Sequence, residues 1–353
     1  MSSSLSPNSK SKTRSDASGR RSSVRRDLVT TKGGSAAGVS GSNAQGEGEA
    51  PAFVHVAPRH MPLPVLIAVP HAGRAYPAEV VEQMRDAGHC QLRLEDRRID
   101  GVGVDVAKAT GTGLLVAHAP RAMLDLNRAA DDIDWGMVKK PRGFDKAAFA
   151  ETMTTRTSSV GASNARARSG LGLVPRRLPG FGEIWRNHLS HTELQSRIEQ
   201  IHQPYHEFLE RELARIRDAW GAALLIDLHS MPPLRRRAGE EQAPRIVLGD
   251  RYGVSCDNVL ANHAFRYLEQ QGCVTAHNRP YSGGYVLDRH ARPMQGIHGI
   301  QIEVCRSTYL DTALAEPTPG AKALAQLLAG LVRILGSETA GLGSRGQVAQ
   351  AAE

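Results

Sequence analysis

Short, unbroken apolar runs recur along the middle of the chain, each closed by polar or turn-forming residues. Pro64–Pro70 (PVLIAVP), Gly113–His118, Ala122–Leu126, Ala222–Leu228 (AALLIDL), Arg245–Leu248, Val274–His277 and Ile297–Val304 are predicted strands. Their apolar character is continuous rather than alternating, which favours a sheet with a largely parallel centre covered on both faces. Helical spacing fills the gaps at Pro77–Ala87, Leu92–Ala109, Asp257–Gln271 and Pro319–Leu335. Thr318 is placed to cap the last of these, with proline at its first position. Ser190 and Glu193 form an S-x-x-E capping box opening a long helical pattern to about Trp220, with a kink expected at Pro204. Strands alternating with helices predict an α/β fold with helices on both faces of the sheet. The polar stretch 129–188 is too long for an ordinary connection and is expected to be a functional loop or lid.

Both ends of the chain look different. Residues 1–50 are rich in Ser, Gly and Arg and poor in apolar residues, so a disordered tail is expected there. Residues 337–353 are Gly- and Ala-rich and expected to fray, leaving 51–336 as one folded domain. The tail carries eight Lys/Arg against four Asp/Glu, which is half of the net charge of +8. That location turns a basic composition away from a folded nucleic-acid site. No apolar run reaches the ~18 residues of a membrane helix, and no secretory signal opens the chain. The four cysteines form no C-x-x-C pair, so free, mostly buried thiols in a reducing cytoplasm are expected.

Candidate chemistry sits just beyond the apolar runs, where ligands bind in open α/β sheets. His71 follows the first run, and His229 follows Asp227 by two positions at the end of AALLIDL. Glu95 and Asp96 lie near the start of the second helical pattern. Two histidines and a carboxylate make a plausible Zn²⁺ set, although a lone strand-end histidine is commonly a hydrogen-bonded structural residue. Glu303 lies inside an apolar strand, where a carboxylate needs an ion pair, a metal or a raised pKa. Pairing with Arg306 and service as a general base both satisfy that need. Arg121, Asn127 and Arg128 bracket the Ala122–Leu126 run with groups suited to binding a carboxylate. The Pro280–Gly284 loop (PYSGG) suits a tight turn or a close approach to ligand. No P-loop, dinucleotide fingerprint or G-x-S-x-G elbow occurs.

In order, these segments are PHAG at 70–73, ED at 95–96, R-x-x-x-D-L-N-R at 121–128, DLHS at 227–230, NRPYSGGY at 278–285 and QIEV-x-R-S-T-Y at 301–309. The series resembles the N-formylglutamate amidohydrolase family over about residues 60–335. The resemblance implies a three-layer αβα domain akin to the zinc carboxypeptidases, with a mixed, largely parallel central sheet. It implies one Zn²⁺ held by His71, Asp96 and His229, with Asp96 chosen over Glu95. Glu303 matches the catalytic glutamate, and Arg121 the group that polarises the scissile carbonyl. Asn127 and Arg128 match the pair that binds the substrate carboxylate. Tyr281, Gly283, Gly284 and Arg289 fall among the substrate-binding residues. The implied substrate is a small N-acyl amino acid, with carboxypeptidase-like chemistry or another deacylation as the alternative. One departure stands out: the family commonly reads GGYITRRYG where this chain has GGYVLDRHA, with Asp288, His290 and Ala291.

Overall fold

The computed structural model describes residues 28–35, 51–141, 143, 145, 165–236 and 242–351. The main sheet contains β1 (Leu28–Ser35), β2 (Pro51–Pro58), β3 (Val65–Val69), β4 (Gly113–Ala117), β5 (Ala223–Met231), β6 (Ile246–Gly249), β7 (Thr275–His277) and β8 (Ile297–Cys305). Their order across the sheet is β1-β2-β4-β3-β5-β8-β6-β7. The four central strands β4, β3, β5 and β8 are parallel, while β2 and β6 flank them antiparallel. The helices are α1 (Ala78–Gln83), α2 (Ala87–Leu94), α3 (Ile99–Thr110), α4 (Ala165–Arg168), α5 (His191–Arg197), α6 (Gln203–Trp220), α7 (Asn258–Gln270), α8 (Tyr285–His290) and α9 (Gly320–Ala351).

The period of two along a strand sorts the core into two layers. Val65, Ile67 and Val69 pack with α3, α7 and α9 on one face, while Leu66 and Ala68 pack with α5 and α6 on the other. All nine residues of β5 and of β8 are buried. Full burial of each Leu, Ile or Val contributes about 1.5–3 kcal/mol, so this double-sided burial dominates the stability of the centre. The result is the three-layer αβα arrangement with a mixed, largely parallel sheet. After β3 the chain passes through α3 to β4 on one side, whereas β5 lies on the other side of β3. That reversal opens a crevice at the carboxyl ends of β3 and β5.

Several elements differ from the sequence expectation. Ala122–Leu126 is not a strand but a buried turn, its amides taken by Pro120 and Leu173 carbonyls. The helical pattern starting at Leu92 is broken: α2 stops at Leu94, and Arg98 takes a left-handed conformation (φ 61°) before α3 begins. The expected bend near Pro204 is a π-helical stretch, Ile198–His202, joining α5 to α6. In the N-terminal tail, Leu28–Ser35 pairs with β2 at the sheet edge; residues 1–27 and 36–50 lie outside the described residues. The C-terminal residues continue α9 rather than fraying. Thr339 is buried, and Gly343 lies so close to the Trp220 carbonyl that a Cβ would collide with it. The described parts of 129–188 supply core residues (Ile133, Met137, Leu173, Val174) rather than a free lid; residues 142, 144 and 146–164 of that segment lie outside the description. All four cysteines are buried without disulfides. Among the described residues, no helix is long and apolar enough to cross a membrane.

Candidate metal centre

His71 leaves the end of β3, and the following turn runs against the exit of β4. Gly73 is required there, because a Cβ would strike the Ala119 carbonyl. The break between α2 and α3 brings Asp96 alongside, its backbone N–H donating to the His71 carbonyl at 2.9 Å. His229 lies near the end of β5 with Asp227 two residues before it, hence on the same strand face. His71, Asp96 and His229 are each at most 2% exposed, and one donor atom from each lies within 4.8 Å of the others. Glu95 points elsewhere: its carboxylate binds Arg97 at 3.0 Å.

The hydrogen bonds around this trio fix what it can hold. His71 Nε2 lies 2.7 Å from Asp125 Oδ1, and His229 Nε2 lies 2.9 Å from Asp227 Oδ2. An ionised carboxylate only accepts, so each Nε2 carries a proton, and in the neutral ring each Nδ1 is the nitrogen left to bind a metal. Both Nδ1 atoms face Asp96 Oδ2, at 3.6 Å from His71 and at a hydrogen-bonding 2.9 Å from His229. His71 Nδ1 is buried with no hydrogen-bond partner. Two imidazole nitrogens and a carboxylate oxygen facing one another favour a positive charge between them, a proton or a metal ion. The charge preference of His229 agrees: burial alone lowers its pKa, but Asp227 and Asp96 outweigh burial and raise it well above the ordinary value, so this point attracts positive charge. Two imidazole nitrogens and one carboxylate oxygen, with each imidazole backed by a carboxylate, are the donor set and support of a divalent transition-metal site.

Arg306 completes the support. Its guanidinium donates to Ser230 Oγ, to the Leu92 and Glu95 carbonyls, and to Asp96 Oδ1 at 3.4 Å. Asp96 is thereby held at Oδ1, while Oδ2 faces the two imidazoles. Asp125 is fixed from its far side by Arg121, whose Nε donates to Oδ2 at 2.9 Å. Burial opposes ionisation of Asp125, but Arg121 and His71 hold its pKa well below the carboxylate range.

Glu303 sits beside this centre by strand register. Parallel β5 and β8 pair Asp227 with Gln301 and His229 with Glu303, so four polar side chains form a square on one face. Gln301 Nε2 donates to Glu303 Oε1 at 3.0 Å, leaving Oε2 for other work. Burial pushes the Glu303 pKa up to about 7, with Asp96 and Asp227 adding to the rise and His229 and Arg121 opposing it. A carboxylate poised there exchanges protons near neutrality.

A cavity of about 220 Å³ opens over these groups. Its wall includes Arg121, Asn127, Arg128, Tyr281, Gly283 and Gly284, all expected from the sequence to line it. Asn127 is orientated by its neighbours: Oδ1 accepts from Val286 N–H at 2.9 Å, so Nδ2 faces Gln301. Gly284 makes room for that amide, since a Cβ would stand 2.5 Å from Asn127 Oδ1. Gly283 adopts φ +100°, outside the range other residues favour. Arg128 donates from Nε to the Leu171 carbonyl and from Nη1 to the Asn127 carbonyl. Arg93, Arg166, Arg251 and Arg306 add further positive charge to the wall. Arg289 is a correction: α8 turns it away from the cavity lining, onto Tyr285 Oη at 3.1 Å and towards Glu210. Of the two roles open to Glu303, the pair with Arg306 is not the one formed, because Arg306 serves Asp96. The supporting roles of Asp125 and Gln301 were not read from the sequence. The i,i+4 spacing of Arg121 and Asp125, and the same-face spacing of Gln301 and Glu303, were the available signals.

The fold and site thus define an αβα protein with a candidate His–Asp–His metal centre at a sheet switch point. The profile of the N-formylglutamate amidohydrolase family matches residues 63–310, more than half of the chain, and the chain belongs to that family. N-formylglutamate deformylase from Pseudomonas putida is 30% identical over 267 residues, covering 72% of this chain and 88% of the relative. The deformylase of the same name from Pseudomonas aeruginosa is 29% identical over 256 residues, covering 70% and 83%. The crystal structure of N-formylglutamate amidohydrolase from Ralstonia eutropha JMP134 superposes with a TM-score of 0.69 at 28% identity, covering 84% of this chain and 99% of that one. A gene product from Agrobacterium tumefaciens shares the fold, with a TM-score of 0.55 at 17% identity.

Proposed function

We propose that this protein is a zinc-dependent amidohydrolase that cleaves N-formyl-L-glutamate to formate and L-glutamate. The observation that carries the proposal is the convergence of two Nδ1 lone pairs and Asp96 Oδ2 on one buried point beside Glu303, under an arginine-lined cavity. The nitrogen and oxygen donors suit Zn²⁺. Zinc bound there supplies the charge that activates a water and polarises the amide carbonyl. Glu303 accepts a proton from the attacking water at Oε2 and returns it to the departing nitrogen, a task matched by a pKa near neutrality. Arg128 and Asn127 Nδ2 hold the substrate carboxylate, with Tyr281 and the residues at 283 and 284 lining the same cavity. Arg121, held by Asp125, reaches the cavity edge, where its charge favours a developing oxyanion. The relatives named for N-formylglutamate support the substrate assignment. Four buried cysteines without disulfides suit a cytoplasmic setting.

The test is amine release by the purified, zinc-loaded protein from N-formyl-L-glutamate, other N-formyl and N-acetyl amino acids, and short peptides. N-formyl-L-glutamate is expected to give the highest kcat/KM. A higher value for an N-acetyl amino acid or a peptide would replace this reading with another deacylase or a carboxypeptidase-like enzyme.

A further inference from the structure

Behind the cavity wall, away from the metal centre, three imidazoles are packed together. His202 and His206 are fully buried and His290 is 4% exposed. His202 and His206 lie one helical turn apart with ring centroids at 4.3 Å, and His206 stacks on His290 at 5.2 Å. The π-helical stretch Ile198–His202 ends on the first of them, and such stretches recur at functional sites. His206 Nε2 lies 3.0 Å from the Leu126 carbonyl, and His202 Nε2 lies 2.9 Å from the Arg128 carbonyl. A carbonyl only accepts, so both Nε2 atoms carry protons. His206 Nδ1 is then an acceptor and takes the His290 Nε2–H at 2.9 Å. Burial pushes the pKa of all three down, His202 to about 4, so they stay neutral near pH 7 and act neither as acid nor as base there.

The two carbonyls flank one residue, Asn127. Among the described residues they receive no other hydrogen bond, and the turn has no regular secondary structure. An apolar side chain would fill the same space without the cost of desolvating an imidazole, but would leave both carbonyls buried and unpaired. The same turn carries Asp125, which backs His71, together with Asn127 and Arg128, which face the cavity.

We propose that His202 and His206, backed by His290, are positioning residues for substrate binding: by holding the carbonyls on either side of Asn127 they aim the Asn127 amide and the Arg128 guanidinium into the cavity. The proposal rests on the substrate-binding role assigned above to those two residues.

The experiment compares His206→Phe, which keeps a ring but removes the donor, with His206→Gln, whose amide restores an N–H near the Nε2 position. His202→Phe and His202→Gln form a second pair acting through the Arg128 carbonyl, and carry the test if a His206 variant fails to fold. Each is measured in the full-length, zinc-loaded protein for kcat and KM on N-formyl-L-glutamate, for metal content, and for hydrogen exchange of the peptide covering 124–130. The phenylalanine variants are expected to raise KM by about tenfold, the effect of an unsatisfied buried carbonyl loosening the turn. Their kcat should change by less than about threefold, their metal content should be unchanged, and exchange at 124–130 should be faster; the glutamine variants should recover both KM and exchange. Unchanged KM with unchanged exchange in the phenylalanine variants, or no rescue by glutamine, overturns the proposal. If the wild-type protein does not turn over N-formyl-L-glutamate, the functional reading fails. The exchange comparison still decides whether the imidazoles hold the turn.

Discussion

Replacing Asp125 by Asn keeps the shape of the side chain and removes its charge. The carboxylate now receives His71 Nε2 at 2.7 Å and the Asn127 backbone N–H at 2.8 Å on Oδ1, and Arg121 Nε at 2.9 Å on Oδ2. An asparagine offers one acceptor oxygen. With that oxygen towards His71, its NH₂ group meets the Arg121 guanidinium, donor against donor. With the amide flipped, the NH₂ donates to His71 Nε2, and the imidazole proton moves to Nδ1, the atom that must bind the ion. In either orientation the negative charge that fixes the tautomer and strengthens the ligand is gone. Loss of such an outer carboxylate typically weakens metal binding about 10–100-fold, or roughly 1.4–2.7 kcal/mol. The assay is competition for Zn²⁺ between chelator-stripped protein and a chromogenic chelator, wild type against Asp125→Asn. A dissociation constant raised by at least about tenfold is expected. A value within about threefold of wild type, in a folded variant, would refute the claim that Asp125 sets the His71 tautomer for metal binding.

Other outcomes follow from the same geometry. Glu303→Gln should retain one metal per chain while kcat falls by about 10²–10⁴, the range of a lost general acid–base; full turnover in that variant would remove Glu303 from the chemistry. Gly284→Ala places a methyl 2.5 Å from Asn127 Oδ1, so the amide must move. Such overpacking costs about 1–3 kcal/mol, and a thermal melt together with KM should register both instability and weaker substrate binding. Asp250 is held below the ordinary carboxylate pKa: burial opposes this, but hydrogen bonds from Asn278 and His277 prevail. A depressed folded pKa gives stability that is present above the unfolded value of about 3.9 and is lost as pH falls through the folded value. Asp250→Asn should therefore melt well below wild type at pH 6–7, with the gap narrowing below about pH 4; a gap independent of pH would contradict the charge-based account.

The parallel centre was legible because β3, β5 and β8 are buried on both faces, and continuous apolar runs such as Val65–Val69 state that directly. Ala122–Leu126 misled for the same reason, since a buried turn and a buried strand have the same composition. β2, whose burial alternates, and β1, at the exposed edge, carry weaker signals. The C-terminal residues read as a frayed tail because glycine lowers helix propensity, yet Gly343 is what lets α9 approach the end of α6. His71, His229 and Glu303 were visible as polar residues at the ends of apolar runs. The Glu95–Asp96 pair was visible, but the choice of Asp96 came from the family motif, because its position depends on a helix break that the periodicity hides. The partners of these residues are fixed by convergence of distant segments: Asp125 reaches His71 across 54 residues, and Arg306 reaches Asp96 across 210. Neither spacing leaves a local pattern to read.

The central claim is that one divalent ion, held by His71, Asp96 and His229, is what makes the cavity hydrolytic. Titrating chelator-stripped protein with Zn²⁺ while following formate release from N-formyl-L-glutamate tests it most directly. Activity is expected to be absent without metal, to rise linearly and to level off at one equivalent per chain, with His229→Ala silent throughout. Equal turnover by the stripped protein, or by His229→Ala, would contradict it.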